Sequence, residues 1–294
     1  KYSASLSQAE CDLIIAVGVR FSDRATGNIH EYSKNRKIIH IDIDMSEMGK
    51  NVTDHIGLCG DVKEVLTILL KSIPPFKNAQ WLESIKENKK KDPPILTGTF
   101  NPRNIIELVN SKFDDNTVVT TDVGQHQIWV TQYYKFEKPR TLLTSGGLGT
   151  MGYGFGAAIG ACMAKNRART IFFTSDGSFG MNLIELATAV SQKLPIVIII
   201  LNNGVLGMVK QWQDMFYDNR YSQTVLKRQT NFPMLAQSFG ADGFSADSLD
   251  ELELILKSKL KDDVPCLIEC KIDMDEKVLP MIPPGTSIKN IVLK

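Results

Sequence analysis

Short apolar runs alternate with longer amphipathic stretches along most of the chain, and this alternation predicts strands and helices in turn. The predicted strands are residues 13–18, 38–44, 117–121, 170–174, 196–201 and 266–272. The predicted helices are residues 62–70, 102–113, 152–164, 183–191, 230–239 and 249–260. The run 196–201 is almost entirely β-branched, which is typical of a parallel strand buried on both faces. The pattern therefore predicts an α/β fold with a doubly wound parallel sheet.

A proline-rich and lysine-rich stretch interrupts this pattern. Residues 73–100 contain two Pro-Pro pairs and the charged run 86–92, and prolines break regular elements. We expect a partial α/β domain at 1–72, a linker at 73–100 with a short exposed helix in it, and a larger α/β domain at 101–294. The lysines fit a solvated linker face better than a phosphate patch. A buried-looking strand so near Lys1, with no signal sequence before it, suggests a chain that starts inside a larger protein.

Composition narrows the possible functions. The 294 residues are 43% hydrophobic and carry a net charge of +1, which argues against a disordered chain and gives no electrostatic footprint for nucleic acid or an anionic membrane. The longest apolar run is far shorter than the roughly 20 residues that span a bilayer. The five cysteines have no zinc-site spacing, which favours reduced thiols in a reducing compartment.

Two polar segments each follow a predicted strand. Ser175-Asp176-Gly177-Ser178 comes after strand 170–174, and Asn202-Asn203-Gly204 comes after strand 196–201. Both should therefore lie at the carboxyl edge of the sheet, where phosphates meet free backbone N–H groups. The Asp176 carboxylate and the Asn203 amide oxygen are hard ligands suited to Mg²⁺. Either segment alone is an ordinary turn, and only the pair on two strands predicts a metal–phosphate site.

This pair, with 27 positions from Asp176 to Asn203, resembles the motif by which thiamin diphosphate (ThDP)-dependent enzymes bind ThDP and metal. Residues 201–213, 122–127 and 145–154 are similar to the corresponding stretches of the acetolactate synthase catalytic subunits, and residues 18–27 are similar to the flavin-contacting segment of that family. The resemblance covers nearly the whole chain. It implies a ThDP-binding diphosphate domain preceded by part of a central domain. Many family members have Gly where this chain has Ser175.

The resemblance also assigns roles. The implied Mg²⁺ ligands are Asp176, Asn203 and the backbone carbonyl of Val205. The implied ThDP contacts are Val123, Gly124, Gln125, His126, Gly149, Met151, Ser175, Gly177, Ser178, Gly207 and Met208. Met151 would hold the cofactor in a V shape, and Trp212 with Gln211 would line the pocket for the second substrate. The residues alone leave other interpretations open: core packing for Met151, partly buried packing for Trp212, and a general base or a hydrogen-bonded loop histidine for His126.

Four residues near the start of the chain match FAD-contacting positions of the family: Arg20, Arg24, Asp42 and Asp61. Arginines can pair with a pyrophosphate, and an acidic residue at a strand end can bind a ribose hydroxyl. Without the resemblance, a solvated surface pair is the better interpretation of the two arginines. The tail 278–285 resembles a family segment that can close over the site, although proline-rich tails are usually just extended.

The implied activity is the decarboxylation of pyruvate and transfer of the hydroxyethyl unit to a second 2-ketoacid, pyruvate or 2-ketobutyrate, in branched-chain amino acid synthesis. The implied assembly is a homodimer or tetramer, with a regulatory small subunit as a possible partner. In this family the activating Glu lies in a pyrimidine-binding domain that these residues lack, so we expect the 294-residue piece alone to be nearly inactive. The alternatives are another ThDP-dependent carboligase, such as glyoxylate carboligase, or a non-catalytic assembly module. The expected location is the cytoplasm in a bacterium and a plastid or mitochondrion in a eukaryote.

Overall fold

A computed structural model describes residues 1–53, 55–93, 98–227, 229–259 and 263–293. The described residues form two compact units, one from Lys1–Ile95 with Leu279–Lys294 and the other from Leu96–Val278. This division differs from the expected boundaries, because part of the expected linker and the last residues of the chain both pack within the first unit. The side chain of Asn88 is buried and donates to Glu10 Oε2 at 2.8 Å, and the Asn28 N–H donates to the Thr286 carbonyl at 2.9 Å.

The first unit is a small parallel α/β layer. Its elements are α1 (Tyr2–Glu10), β1 (Leu13–Val17), α2 (Asp23–Thr26), α3 (Ile29–Ser33), β2 (Lys37–Asp42), β3 (Ile56–Cys59), α4 (Val62–Ser72) and α5 (Ala79–Lys90), with 3-10 turns at Met45–Glu47 and Ile288–Asn290. The described strands pair in parallel in the order β1–β2–β3. Asp61 caps α4, its Oδ1 accepting from the N–H groups of Lys63 and Glu64.

The second unit carries a larger sheet. Its elements are α6 (Pro102–Asn110), β4 (Val118–Thr121), α7 (Gln125–Tyr133), β5 (Leu142–Thr144), α8 (Tyr153–Ala164), β6 (Thr170–Ser175), α9 (Asp176–Phe179), a 3-10 turn (Leu183–Glu185), α10 (Leu186–Ser191), β7 (Ile196–Asn202), α11 (Gly207–Phe216), α12 (Phe232–Ser238), β8 (Asp242–Ala246), α13 (Leu249–Lys259) and β9 (Cys266–Lys271). Among the described residues the strands run parallel in the order β5–β4–β6–β7–β9–β8.

Helices cover both faces of this sheet, because side chains alternate between the faces along each strand. In β7, Val197, Ile199 and Leu201 join a core with α6, α7 and α13, whereas Ile198 and Ile200 join a second core with α8, α10 and α12. The α/β class with a doubly wound parallel sheet is confirmed, and so is the burial of the predicted strand 196–201 on both faces.

The sequence pattern missed three strands. β5 is only three residues long, and β3 and β8 each contain a glycine among polar or short runs, so none of them shows a clear period-2 pattern. The last residue of the predicted helix 249–260 lies outside the described residues. None of the helices in the described part of the chain combines the length and apolar character that crossing a membrane requires.

Candidate functional site

The path of the chain through the large sheet reverses between β4 and β6. From β4 the chain continues to β5 at the outer edge and then returns to β6 on the opposite side of β4. Loops on the two sides of such a reversal diverge and leave a crevice at the carboxyl ends of the strands, which is where ligands bind in open α/β sheets. The segments that follow β4 and β6 border this crevice, and the segment after β7 lies next to them.

Asp176 and Asn203 both lie at this edge. Ser175 at the end of β6 pairs with Leu201 of β7, so Asp176 is one residue and Asn203 two residues beyond paired positions on strands about 4.8 Å apart. Both side chains are buried, with exposed fractions of 3% and 9%. The N–H of Val205 donates to Asn203 Oδ1 at 3.3 Å, so the three residues predicted to bind metal are gathered at one edge of the sheet.

Two serines fix the turn around Asp176. Ser175 has an extended backbone (φ −125°), and its hydroxyl accepts from the Ser178 N–H at 3.4 Å, which caps the short helix α9. The Ser178 hydroxyl donates to the Val123 carbonyl at 3.1 Å and so joins the β6 segment to the β4 segment. Because Ser175 is not in the left-handed region, a serine fits where many relatives of the resembled family have glycine.

Asp122 is a buried structural carboxyl at the end of β4. Its Oδ1 accepts from the Gly154 N–H and its Oδ2 from the Thr174 hydroxyl, both at 2.7 Å. Burial raises the pKa of Asp122 above its usual value, although these two hydrogen bonds oppose the rise. The carboxyl thus joins β4, β6 and the start of α8 beneath the crevice. The sequence analysis assigns Asp122 no role, although an Asp directly after an apolar strand was a usable signal.

A chain of buried side-chain amides runs from the crevice into the protein. Asn203 Nδ2 donates to Gln125 Oε1 at 3.0 Å, and Gln125 Nε2 donates to Gln211 Oε1 at 3.0 Å and to the Glu276 carbonyl at 2.9 Å. Gln211 in turn donates to the Val278 carbonyl at 3.0 Å and accepts from the Val278 N–H at 2.9 Å. Both amide protons of Gln125 are therefore donated to protein atoms.

His126 lies beside these amides in the first turn of α7. It is 1% exposed, and neither ring nitrogen has a hydrogen-bond partner of standard geometry among the described residues. Burial lowers the pKa of His126 to about 3, so the ring is neutral at physiological pH. A neutral imidazole can donate one hydrogen bond to a ligand oxygen but adds no positive charge.

The loop after β5 extends along the crevice. Gly149 and Gly152 both have positive φ (+65° and +89°), and a β-carbon on Gly149 would lie 3.9 Å from Val123 Cγ1. The carbonyl of Gly152 accepts from Asn182 Nδ2 at 2.7 Å. Met151, between these two glycines, is half-buried. The structure therefore brings the Gly149 segment next to the segment that follows β4, as a shared site requires.

Comparison with known families agrees with this geometry. Residues 122–270, just over half of the chain, match the family model described as the thiamine pyrophosphate enzyme C-terminal TPP binding domain, and residues 1–69 match the thiamine pyrophosphate enzyme central domain. The chain belongs to the thiamine pyrophosphate enzymes. Thiamine pyrophosphate is ThDP by its other name, so the family that the motif implied is confirmed.

Among curated proteins, the chain is similar to acetolactate synthase large subunits. It is 44% identical over 303 aligned positions to the probable acetolactate synthase large subunit of Methanocaldococcus jannaschii, with 99% of this chain and 51% of that protein covered. It is 38% identical over 286 positions to the isozyme 1 large subunit of Escherichia coli (96% and 51% covered) and 40% identical over 294 positions to the large subunit of Lactococcus lactis (97% and 50% covered). The chain spans about half the length of the curated relatives it matches.

The donor set at the crevice fits the magnesium–diphosphate anchor of a thiamine pyrophosphate enzyme. No three His, Cys, Asp or Glu side chains cluster as metal ligands in the described part of the chain. A metal at Asp176 would therefore have at most two ligands of these types, and its other ligands would come from an amide, a backbone carbonyl and phosphate oxygens. Mg²⁺ is commonly bound with so few carboxylates when phosphates complete its shell. The orphaned ring nitrogens of buried His126 fit a neighbouring phosphate oxygen.

Helix α11 carries the remaining candidate residues. Trp212 is half-buried and packs edge-to-face on Phe216 with ring centroids 5.3 Å apart, and Met208 packs against the core beside α6, α7 and α13. These contacts agree with the packing interpretation of Trp212. Lys210, which sequence reasoning passed over, is 7% exposed and donates to Asp275 at 2.6 Å and Asp214 at 3.2 Å.

In the first unit, the residues predicted to contact FAD lie near the carboxyl edge of the small sheet. Asp42 ends β2, Arg20 lies in the loop after β1, Asp61 follows β3, and Arg24 lies on α2. Both arginines are exposed, and Asp42 Oδ1 accepts from the Asp44 N–H at 2.9 Å. The carboxyl edge is where a dinucleotide binds a parallel sheet, so the placement fits the expected ligand.

Proposed function

We propose that this chain is the cofactor-binding part of an acetolactate synthase catalytic subunit. The placement of Asp176 and Asn203 at the carboxyl ends of neighbouring strands carries the cofactor assignment. Identities of 38–44% to acetolactate synthase large subunits over nearly the whole chain support the reaction. The substrates proposed are pyruvate and a second 2-ketoacid.

ThDP, when bound, supplies the carbanion chemistry that decarboxylates a 2-ketoacid and joins the two-carbon unit to another. Asp176, Asn203 and the Val205 carbonyl would hold the Mg²⁺ that anchors the diphosphate, and Ser178 and His126 would contact the diphosphate itself. Gly149 and Met151 would position the organic part of the cofactor, and a cofactor held in its reactive geometry loses less entropy at the reaction step.

Trp212 would line the pocket for the second ketoacid. A rigid indole can narrow such a pocket and favour a small acyl substituent. Gln211, the preceding residue, is 2% exposed and is hydrogen-bonded to the backbone of Val278. It would therefore hold the helix that presents the indole, with no contact of its own to the substrate.

FAD at Arg20, Arg24, Asp42 and Asp61 is the second cofactor proposed. A homodimer or tetramer, with a regulatory small subunit, is the assembly proposed. FAD binding is tested by titrating FAD into the chain and into an Arg20→Ala/Arg24→Ala variant, followed by the quenching of flavin fluorescence. Equal binding by both proteins would remove the arginines from the proposal.

Titration calorimetry of ThDP with Mn²⁺ into the chain tests the metal site. We expect saturable binding, its loss in Asp176→Ala, and its retention in Asp250→Ala, which changes an exposed carboxylate on α13.

The reaction is tested by acetolactate formation from pyruvate, with glyoxylate as the competing substrate, in the protein encoded by the complete reading frame that carries this sequence. Preference for glyoxylate would make the protein a different carboligase.

A further inference from the structure

The structure points to Gln125 as a positioning residue for the metal ligand Asn203, an inference that rests on the proposed metal site. An asparagine amide is nearly symmetric in shape, but only its oxygen can bind Mg²⁺. A metal site that uses Asn203 therefore needs a neighbouring acceptor that hydrogen-bonds only the nitrogen end of this amide, so that the oxygen end faces the metal. Gln125 Oε1 is that neighbour, because it accepts from Asn203 Nδ2 at 3.0 Å.

The Gln125 amide could also be placed in two orientations, with its oxygen and nitrogen exchanged. Contacts with backbone atoms select one of them. Its Nε2 donates to the carbonyl of Glu276 at 2.9 Å, and a backbone carbonyl can only accept. Its second Nε2 proton goes to Gln211 Oε1. Gln211 is itself fixed at both ends, by the carbonyl and the N–H of Val278. Turning any of these amides over would set donor against donor or acceptor against acceptor.

The backbone atoms that set this polarity belong to the segment after β9, residues 273–278. This segment is fastened to α11 at a second point, since Lys210 donates to Asp275 at 2.6 Å. Gln125, Gln211 and Val278 are each 5% exposed or less, so water competes little for their hydrogen bonds. The backbone of residues 273–278 therefore sets the orientation of the Gln211 and Gln125 amides, and Gln125 in turn sets that of Asn203.

This arrangement leaves Gln125 no amide proton for a phosphate. Its effect on the cofactor passes through the orientation of Asn203, with Oδ1 left to face the metal. The Val205 N–H also donates to Oδ1, at the longer distance of 3.3 Å, so loss of Gln125 weakens the orientation without abolishing it.

The test is the affinity of the chain for Mn²⁺ in the presence of ThDP, measured by calorimetry and by electron paramagnetic resonance of free Mn²⁺. Gln125→Met should weaken Mn²⁺ binding about five- to tenfold, the value of roughly one hydrogen bond. Gln211→Met should act in the same direction but less, because the Glu276 carbonyl still accepts from Gln125. Gln127→Met is the matched control: it lies on the same helix and loses one hydrogen bond, to Thr144, and should leave the affinity unchanged.

A double-mutant cycle separates orientation from a general packing effect. In Asn203→Asp both side-chain oxygens can bind metal, so neither end has to be selected, and the oxygen that replaces Nδ2 can no longer donate to Gln125 Oε1. Adding Gln125→Met to Asn203→Asp should therefore cause no further loss of Mn²⁺ affinity. An equal loss in both backgrounds would show a direct cofactor contact or a packing defect and would overturn the inference. An unchanged affinity in Gln125→Met alone would also overturn it. Absence of Mn²⁺–ThDP binding in the unmodified chain would instead overturn the proposed metal site, and this inference with it.

Discussion

Gly207 and Gln125 approach so closely that a β-carbon on residue 207 would lie 1.9 Å from Gln125 Oε1 and 3.0 Å from Asn203 Nδ2. The first turn of α11 therefore packs directly on the amides that border the proposed metal site. Glycine at 207 is required by this contact, since no larger side chain leaves Gln125 in place.

We predict that Gly207→Ala displaces the Gln125 side chain. The buried hydrogen bonds lost on displacement cost about 1–3 kcal/mol of the free energy of unfolding, and Mn²⁺–ThDP affinity falls as well. Urea unfolding and calorimetry measure the two effects. Gly160→Ala is the control, because a β-carbon there meets nothing within 4 Å and alanine in a helix adds about 0.5–1 kcal/mol of stability. Equal behaviour of the two variants would contradict the prediction.

The sequence predicted the position of Asp176 and Asn203 because their placement depends only on where two strands end. A parallel sheet collects its carboxyl ends at one edge, so local pattern was enough. The hydrogen bonds among the buried amides could not be predicted from local pattern. Gln125 and Gln211 are 86 positions apart, and Gln211 and Val278 are 67 apart, so their contacts exist only after the sheet has assembled and β9 has inserted beside β7.

The same distinction explains why the two compact units do not follow the expected boundaries. The prolines near residues 74 and 93 correctly marked breaks in helix, but they carried no information on packing. Asn88 is buried against α1, so the stretch expected to be a linker contributes a packed helix to the first unit. Composition shows that a segment is polar, whereas its partners are set by the fold.

Asp122→Asn should make stability less dependent on pH. Because burial raises the pKa of Asp122 in the folded protein, the stability that it contributes is fully present below its unfolded pKa and is lost as pH rises through its folded pKa. Because an asparagine amide does not titrate, Asp122→Asn removes this pH-dependent loss. The amide oxygen can still accept from the Gly154 N–H, and the Thr174 hydroxyl can turn to accept from the amide nitrogen. Urea unfolding between about pH 4 and pH 7 measures the slope.

Asp122→Ala provides the contrast to that isosteric change. It leaves the Gly154 N–H and the Thr174 hydroxyl without their acceptor, at a cost of about 1–3 kcal/mol. If Asp122→Asn were as destabilising as Asp122→Ala at neutral pH, the charge of the carboxylate would be needed, and the prediction would be wrong.

Lys210→Met should destabilise the chain by about 2 kcal/mol, because the buried carboxylate of Asp214 would lose its hydrogen-bonded cation and keep the Tyr221 hydroxyl. Burial alone would lower the pKa of Lys210, but its hydrogen bonds to Asp275 and Asp214 outweigh burial and raise it. The contribution of the lysine to stability is then present below its unfolded pKa and lost only above about pH 10. Lys257→Met, which removes an exposed ion pair with Glu253, should cost clearly less, because solvent screens such pairs. Equal losses of stability in Lys210→Met and Lys257→Met, measured by thermal and urea unfolding, would contradict the assigned network.

His126 should make the protein less stable in mild acid. Its folded pKa is about 3, whereas an unfolded histidine titrates near 6.5. The stability contributed by the neutral His126 ring is therefore fully present above about pH 6.5 and is lost as pH falls toward 3. The loss reaches about 2 kcal/mol at pH 5. His126→Phe removes this dependence, and the difference between the urea midpoints at pH 7 and pH 5 should shrink accordingly. The exposed His30 supplies the control, since His30→Phe changes a ring that is solvated in both states. A ring of His126 that titrates near pH 6 by NMR, or an unchanged slope in His126→Phe, would show that the ring is not sealed in the crevice as the structure places it.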